Sequence, residues 1–230
     1  MPPKIAANTR VSELFITTML HMYAQWIKQN ERLIKQAARG GVAQRLAMTA
    51  RRLLPIVRRK SPDLRIGFEY ELTRLRRMPF VEFTTVMGPN PNNTHDEIVW
   101  LVGITRHITM TNWVRRGEVM GEMGRYLIHI PSTIVQYPNM AHVHMLPERN
   151  IFAPHRHPHH AGFSRGDTEN PLAWETGNCW GSYSGVIKGL IDEPDFPELF
   201  RQLYNHLSTY GDAPPYRLSM EFDIRTPEAR

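Results

Sequence analysis

From Ser12 the apolar residues Phe15, Met19, Met22, Trp26 and Leu33 recur at mostly helical spacing, and Gly40-Gly41 follows as a stop. Residues three or four apart share a helix face, and glycine readily takes the left-handed conformation that ends a helix. The pattern predicts one helix closed by that pair and a second from Val42 to about Leu54, ended or kinked at Pro55. A new unit opens at Ser61-Pro62-Asp63, which sets an N-cap, a proline at the first helical position and an acidic first turn in succession. Its helix carries Leu64, Phe68, Leu72 and Leu75 on one face and stops before Pro79.

Beyond Pro79 the period changes. Phe80 to Met87 and Glu97 to Ile104 read as strands separated by the turn-rich MGPNPNNTHD stretch, and two more strands follow at Arg125 to Ile130 and Ala141 to Leu146. Between the second and third, residues 105 to 124 carry Gly117, Gly121 and Gly124 and read as a loop or broken excursion. Tyr183 to Ile191 predicts a short helix, and Phe196, Leu199, Phe200, Leu203 and Leu207 mark another that ends at Gly211. In the tail, Leu218, Met220, Phe222 and Ile224 alternate as in a strand. The order predicts an α+β fold: a four-stranded antiparallel meander with helices at both ends.

Charge divides the chain. Residues 1 to 60 hold 12 Lys+Arg against 2 Asp+Glu, a balance of +10, while residues 61 to 230 hold 16 against 20. We therefore read a basic helical arm over residues 1–60 and a main domain over 61–230. A basic block serves nucleic acid or an acidic partner, or else forms a hairpin that docks on the domain or self-associates behind a solvated face. Packing groups such as Trp26 favour docking. No apolar run approaches membrane-spanning length, and one cysteine excludes an internal disulfide framework, so a reducing intracellular setting is expected.

Candidate chemistry concentrates in residues 154 to 181. Pro154 to His160 holds four of the eleven histidines, and its prolines exclude regular helix. Cys179 follows Thr176, Gly177 and Asn178 and precedes Trp180 and Gly181, in a turn where a thiol would be partly exposed and reactive. His155, His157, His159 and His160 with Cys179 are suitable zinc ligands by type, but no CxxC or HExxH spacing accompanies them. We assign no metal and no cofactor. His142 and His144 share a strand face and read as its polar or half-buried side.

The order of elements, with RIGFEYELTRLRR, EIVWLVGI, RYLIHIP, Tyr137-Pro138, His157-Pro158-His159 and Gly177-Asn178-Cys179-Trp180-Gly181, resembles the ubiquitin-conjugating (E2-like) family, its divergent prokaryotic and phage members in particular. The resemblance covers roughly residues 62 to 210. It implies the E2 fold, a thioester on Cys179, an E1-like activating protein and a ubiquitin-like modifier as partners, and a cytoplasmic site of action. The family's His-Pro-Asn asparagine is His159 here, so oxyanion support falls to His159 or Asn178, with His157 and His159 as candidates for base or flap-setting roles. Residues 161 to 175 lengthen the gap before the cysteine. The alternative is a catalytically inert E2-like module, an adaptor or a structural protein of a virion, whose basic arm grips nucleic acid or neighbouring subunits in a homo-oligomer.

Overall fold

A computed structural model describes residues 8–35, 41–57, 65–112, 118–148, 160–164, 175–178 and 180–210. The chain enters through a two-residue strand, β1 (Arg10–Val11), into α1 (Glu13–Lys35). Ser12 caps that helix, its hydroxyl accepting from the Phe15 amide at 3.1 Å. Helix α2 (Val42–Val57) starts after Gly41 and runs three residues past the expected end at Leu54. Pro55 costs it one backbone hydrogen bond, but Leu53 and Ile56 are both buried and hold the last turn on the core. Helix α3 (Arg65–Arg76) buries Leu72 and Leu75; its expected start at Ser61-Pro62-Asp63 lies outside the described residues.

All four expected strands are present, in order, but the fourth starts at His144 rather than Ala141, because Met140–His142 forms a 3-10 turn and His142 shares no strand face with His144. They are β2 (Phe80–Asn90), β3 (Asn93–Thr105), β6 (Tyr126–Pro131) and β7 (His144–Pro147), and each neighbouring pair is antiparallel. The register aligns Thr84 with Val102, Val102 with His129, and His129 with His144. β1 adds to the β2 edge in parallel, making a five-stranded sheet in the order β1-β2-β3-β6-β7. The excursion between the second and third expected strands is a hairpin, β4 (Ile108–Asn112) and β5 (Glu118–Gly124). A second hairpin, β8 (His160–Ser164) with β9 (Glu175–Asn178), precedes α4 (Ser184–Asp192) and α5 (Phe196–Ser208). The last strand, β10 (Thr209–Tyr210), pairs in parallel with β4. The alternating tail from Leu218 to Ile224 lies outside the described residues.

One face of the sheet meets α1 and α5. Phe83, Leu101, Ile128, Ile130 and Met145 pack there with Phe15, Met19, Leu199, Phe200 and Leu203 in a single buried cluster. Ring centroids stand 4.7 Å apart for Phe80–Phe83, 5.1 Å for Phe83–Phe200 and 5.2 Å for Phe15–Phe83. Gly103 is required here, because a Cβ would lie 2.8 Å from the Phe80 ring and 2.9 Å from the Phe200 ring.

The basic N-terminal segment is therefore part of the core. The Trp26 indole donates to the Asp192 carbonyl at 2.8 Å, Thr49 donates to Glu193 at 3.0 Å, and the Tyr23 hydroxyl accepts from the Phe196 amide at 3.2 Å. Arg52 and Arg74 both pair with the buried Glu71 and with Asp195. Desolvation, reinforced by Asp195, raises the Glu71 carboxyl above its ordinary range even with both guanidinium groups beside it. The α1–α2 hairpin thus grips the junction between α4 and α5. The 60/61 boundary read from the charge distribution falls within residues 58–64, outside the described residues.

Candidate functional site

The chain between the third and fourth strands of the meander turns twice. After a short 3-10 turn at Ser132–Val135 comes Tyr137-Pro138, with Tyr137 exposed. Asn139 then caps a second 3-10 turn, Met140–His142, its side-chain oxygen accepting from the Ala141 amide at 3.0 Å. The side-chain nitrogen of Asn139 stands 3.3 Å from His142 Nε2. His142 is half-buried, and burial pulls its pKa below the ordinary imidazole value.

Two further histidines lie behind this turn. His129 and His144 are cross-strand neighbours, 5% and 3% exposed, on the face opposite α1 and α5. The Trp100 ring lies 5.1 Å from that of His144. Desolvation drives His129 down to about 4, against a backbone hydrogen bond at Leu127 that raises it. His144 is pushed to about 3, by desolvation first and then by His129 and His142. The Nδ1 atoms of His129, His142 and His144 have no hydrogen-bond partner among the described residues. Burial thus favours the neutral form of both strand histidines.

The candidate cysteine segment comes back to this place. β9 lies against the Met140–His142 turn, and its final residue Asn178 pairs with His160, the first residue of β8. The end of the histidine run and the start of the Asn178-Cys179-Trp180 step are therefore hairpin partners. Cys179, His157 and His159 themselves lie outside the described residues, and of Asn178 only the backbone is described. The lengthened gap at residues 161 to 175 takes in β8 after His160 and the first residue of β9.

On the far side of the step, Trp180 is half-buried and Gly181 has φ +48, a conformation that favours glycine. A 3-10 turn at Gly181–Tyr183 leads into α4. The Trp180 and Tyr183 rings both contact the imidazole of His206 on α5, with centroids at 5.5 Å and 5.2 Å. Sequence reasoning singled out neither His129 nor His206. His206 falls three residues after Leu203 on the apolar stripe of its helix, and that position was the available signal. Among the described residues no three His, Cys, Asp or Glu side chains are arranged to hold a metal ion, and no helix is long and apolar enough to cross a membrane. Comparison of the chain with protein-family models, with curated proteins and with solved structures found no match.

Proposed function

We propose that the chain is an E2-like cysteine carrier, which takes a ubiquitin-like modifier onto Cys179 as a thioester and passes it to an acceptor. The observation that carries this reading is the return of β9: Asn178 pairs with His160 while its strand lies against the turn that follows Tyr137-Pro138. β8 begins one residue after His157-Pro158-His159, β9 ends one residue before Cys179, and the turn that β9 meets follows Tyr137-Pro138. Three helices precede the antiparallel meander and two follow it.

In the first step the Cys179 thiolate attacks the modifier's C-terminal carbonyl carbon, presented as a thioester on an E1-like protein. A new C–S bond forms, the old one breaks, and the activating protein's cysteine leaves as thiolate. An acceptor amine then attacks the same carbon, a C–N bond forms, Cys179 leaves, and the surplus amine proton passes to a base. Sulfur suits both halves, being a good nucleophile and a good leaving group. His157 or His159 is the candidate base, and His159 or Asn178 the donor to the developing oxyanion.

The test is a native mass spectrum of the intact protein, co-produced with its genomic neighbours and purified without a metal column. The expected result is an added mass that a thiol such as dithiothreitol removes by exchange, that a phosphine reductant leaves in place, and that Cys179→Ala never acquires. An unmodified thiol in a discrete oligomer, with an E1-like protein present, would overturn the carrier reading in favour of the inert assembly role.

A further inference from the structure

β2 is paired along its whole length on one side only. β3 follows it from Phe80 to Asn90, whereas β1 meets it only at Glu82 and Phe83. The Ser12 amide donates to the Phe83 carbonyl at 2.9 Å, and there the chain turns off into α1. Backbone groups of successive strand residues point to opposite sides, so Phe83, Thr85, Met87 and Pro89 face this edge while Thr84, Val86 and Gly88 bond to β3. Among the described residues no strand lies along the edge beyond Phe83, and no backbone group reaches Thr85 or Met87 from that side. At the far end Pro89 has no N–H, and its carbonyl accepts from the Trp100 indole at 3.2 Å.

The open ladder is therefore Thr85 and Met87, placed symmetrically about Val86. Val86 is 37% exposed and Met87 59%, so the side chains beside the ladder are uncovered too. From Thr84 to Asn90 the strand carries no charge. Native proteins usually guard a sheet edge with lysines, inward charges, a bulge or a covering element, and the one ion pair here, Arg10 with Glu82, sits at the end β1 already covers.

We propose that this edge pairs with the same edge of a second copy, antiparallel, about a two-fold axis at Val86. Thr85 of each copy then faces Met87 of the other, and each such pair exchanges two backbone hydrogen bonds, which uses every open donor and acceptor on both edges. The two Val86 residues meet at the axis with Cα atoms about 4.5 Å apart, and Thr84 lies opposite Gly88. One step further out, Phe83 falls opposite Pro89, where β1 closes the ladder on one strand and no donor remains on the other. The window thus ends at both sides where the same strand runs out of groups, a match that an unrelated strand has no reason to share. Because the contact is isologous it closes on itself and adds no third copy. β2 and β7 lie on opposite sides of the sheet, so the dimer leaves the candidate site open at each outer edge. The pairing stands independently of the carrier reading.

A window from Thr84 to Gly88 is smaller than a standard interface, so the dimer is concentration-dependent. Sedimentation velocity on the full-length protein from about 5 to about 500 μM should show a rise from monomer to dimer that stops there. Val86→Lys should stay monomeric across that range, since it sets two cations face to face at the axis, and Val86→Glu should do the same. An equimolar mixture of the two variants should dimerise again, more strongly in low salt. Met87→Pro removes an outward N–H without touching the ladder to β3, and should weaken association about tenfold or more with the circular dichroism spectrum unchanged. Should the Val86 variants not fold, Met87→Pro carries the test.

A wild type that stays monomeric throughout overturns the proposal and leaves the edge to a strand from an unlike protein. A dimer that Val86→Lys and Met87→Pro leave intact overturns it as well, because the interface is then elsewhere. A Lys and Glu mixture that stays monomeric removes Val86 from the axis and sinks the pairing as stated. Loss of modifier transfer with dimerisation intact counts against the carrier reading alone, and a monomer that still transfers counts against the pairing alone.

Discussion

The two faces of the central sheet are built on different principles. The face toward α1 and α5 is hydrocarbon and aromatic, with Phe80, Phe83, Leu101, Ile128 and Phe200 in mutual contact and no titratable group among them. The opposite face buries Trp100 and Val102 beside His129 and His144. Both faces exclude water, but only the second depends on the protonation state of what it buries. The first face secures the fold, and the second ties the fold to pH at the strands beside the candidate site.

The comparison breaks most sharply on the aromatic side. Phe200→Ala removes a fully buried ring that touches Phe15, Phe80 and Phe83 and fills the space Gly103 leaves. It should lower unfolding free energy by about 3–5 kcal/mol at every pH, read from denaturant midpoints. A loss under about 1 kcal/mol would mean that this face is not a close-packed core.

On the histidine side the expected effect is smaller and depends on pH. His129 and His144 are depressed to about 4 and about 3 in the folded protein, against an ordinary value near 6.5. As pH falls through about 6.5 the unfolded chain takes up protons that the folded one refuses. The stability from these neutral imidazoles is therefore complete above that value and is lost towards pH 4 and 3. By pH 5 the loss is roughly 2 kcal/mol per histidine. His144→Leu should reduce the fall between pH 7.5 and pH 5 by that amount, whereas Phe200→Ala should leave the fall unchanged. Equal slopes in wild type and His144→Leu would show that this histidine is solvated.

The smallest effect belongs to the sheet edge, where Arg10 pairs with Glu82 at 3.1 Å across β1 and β2 and its side chain is largely exposed. Arg10→Ala should cost under about 1 kcal/mol and less still in high salt, since an exposed pair is screened. A larger cost would place β1 among the stabilising elements of the first face.

The meander was legible because its strands are short runs rich in β-branched and aromatic residues bounded by turn signals, a mark that survives where Trp100, Leu101 and Val102 are buried on both faces. β1 was not, since two residues are too short to show any period, and what fixes them is distant. Thr9 Oγ1 stands 2.8 Å from the carbonyl oxygens of Met78 and Phe80, about seventy positions away. The excursion at residues 105 to 124 hid a hairpin because two of its glycines, Gly121 and Gly124, lie within β5 and mimic loop composition. Of the two outcomes expected at Pro55, an end or a kink, the end does not occur: α2 runs on to Val57, with Ile56 buried on the core. At the candidate site, the sequence pointed to the His157 and Cys179 motifs but could not pair His160 with Asn178, and it undervalued His206. A histidine among leucines reads as an interruption of a stripe until the rings from another segment are known.

The grip of the N-terminal hairpin on the α4–α5 junction has a consequence for how the protein is made. The bond from the Phe196 amide to Tyr23 spans 173 positions, and the one from Trp26 to Asp192 spans 166. At synthesis rates of about 5–20 residues per second, the stripe of Phe15, Met19, Met22 and Trp26 waits about 10–35 s for its partner helix to emerge from the ribosome. During that interval α2 and then β2 cover part of the stripe, but its α5 side stays open beside an excess of positive charge.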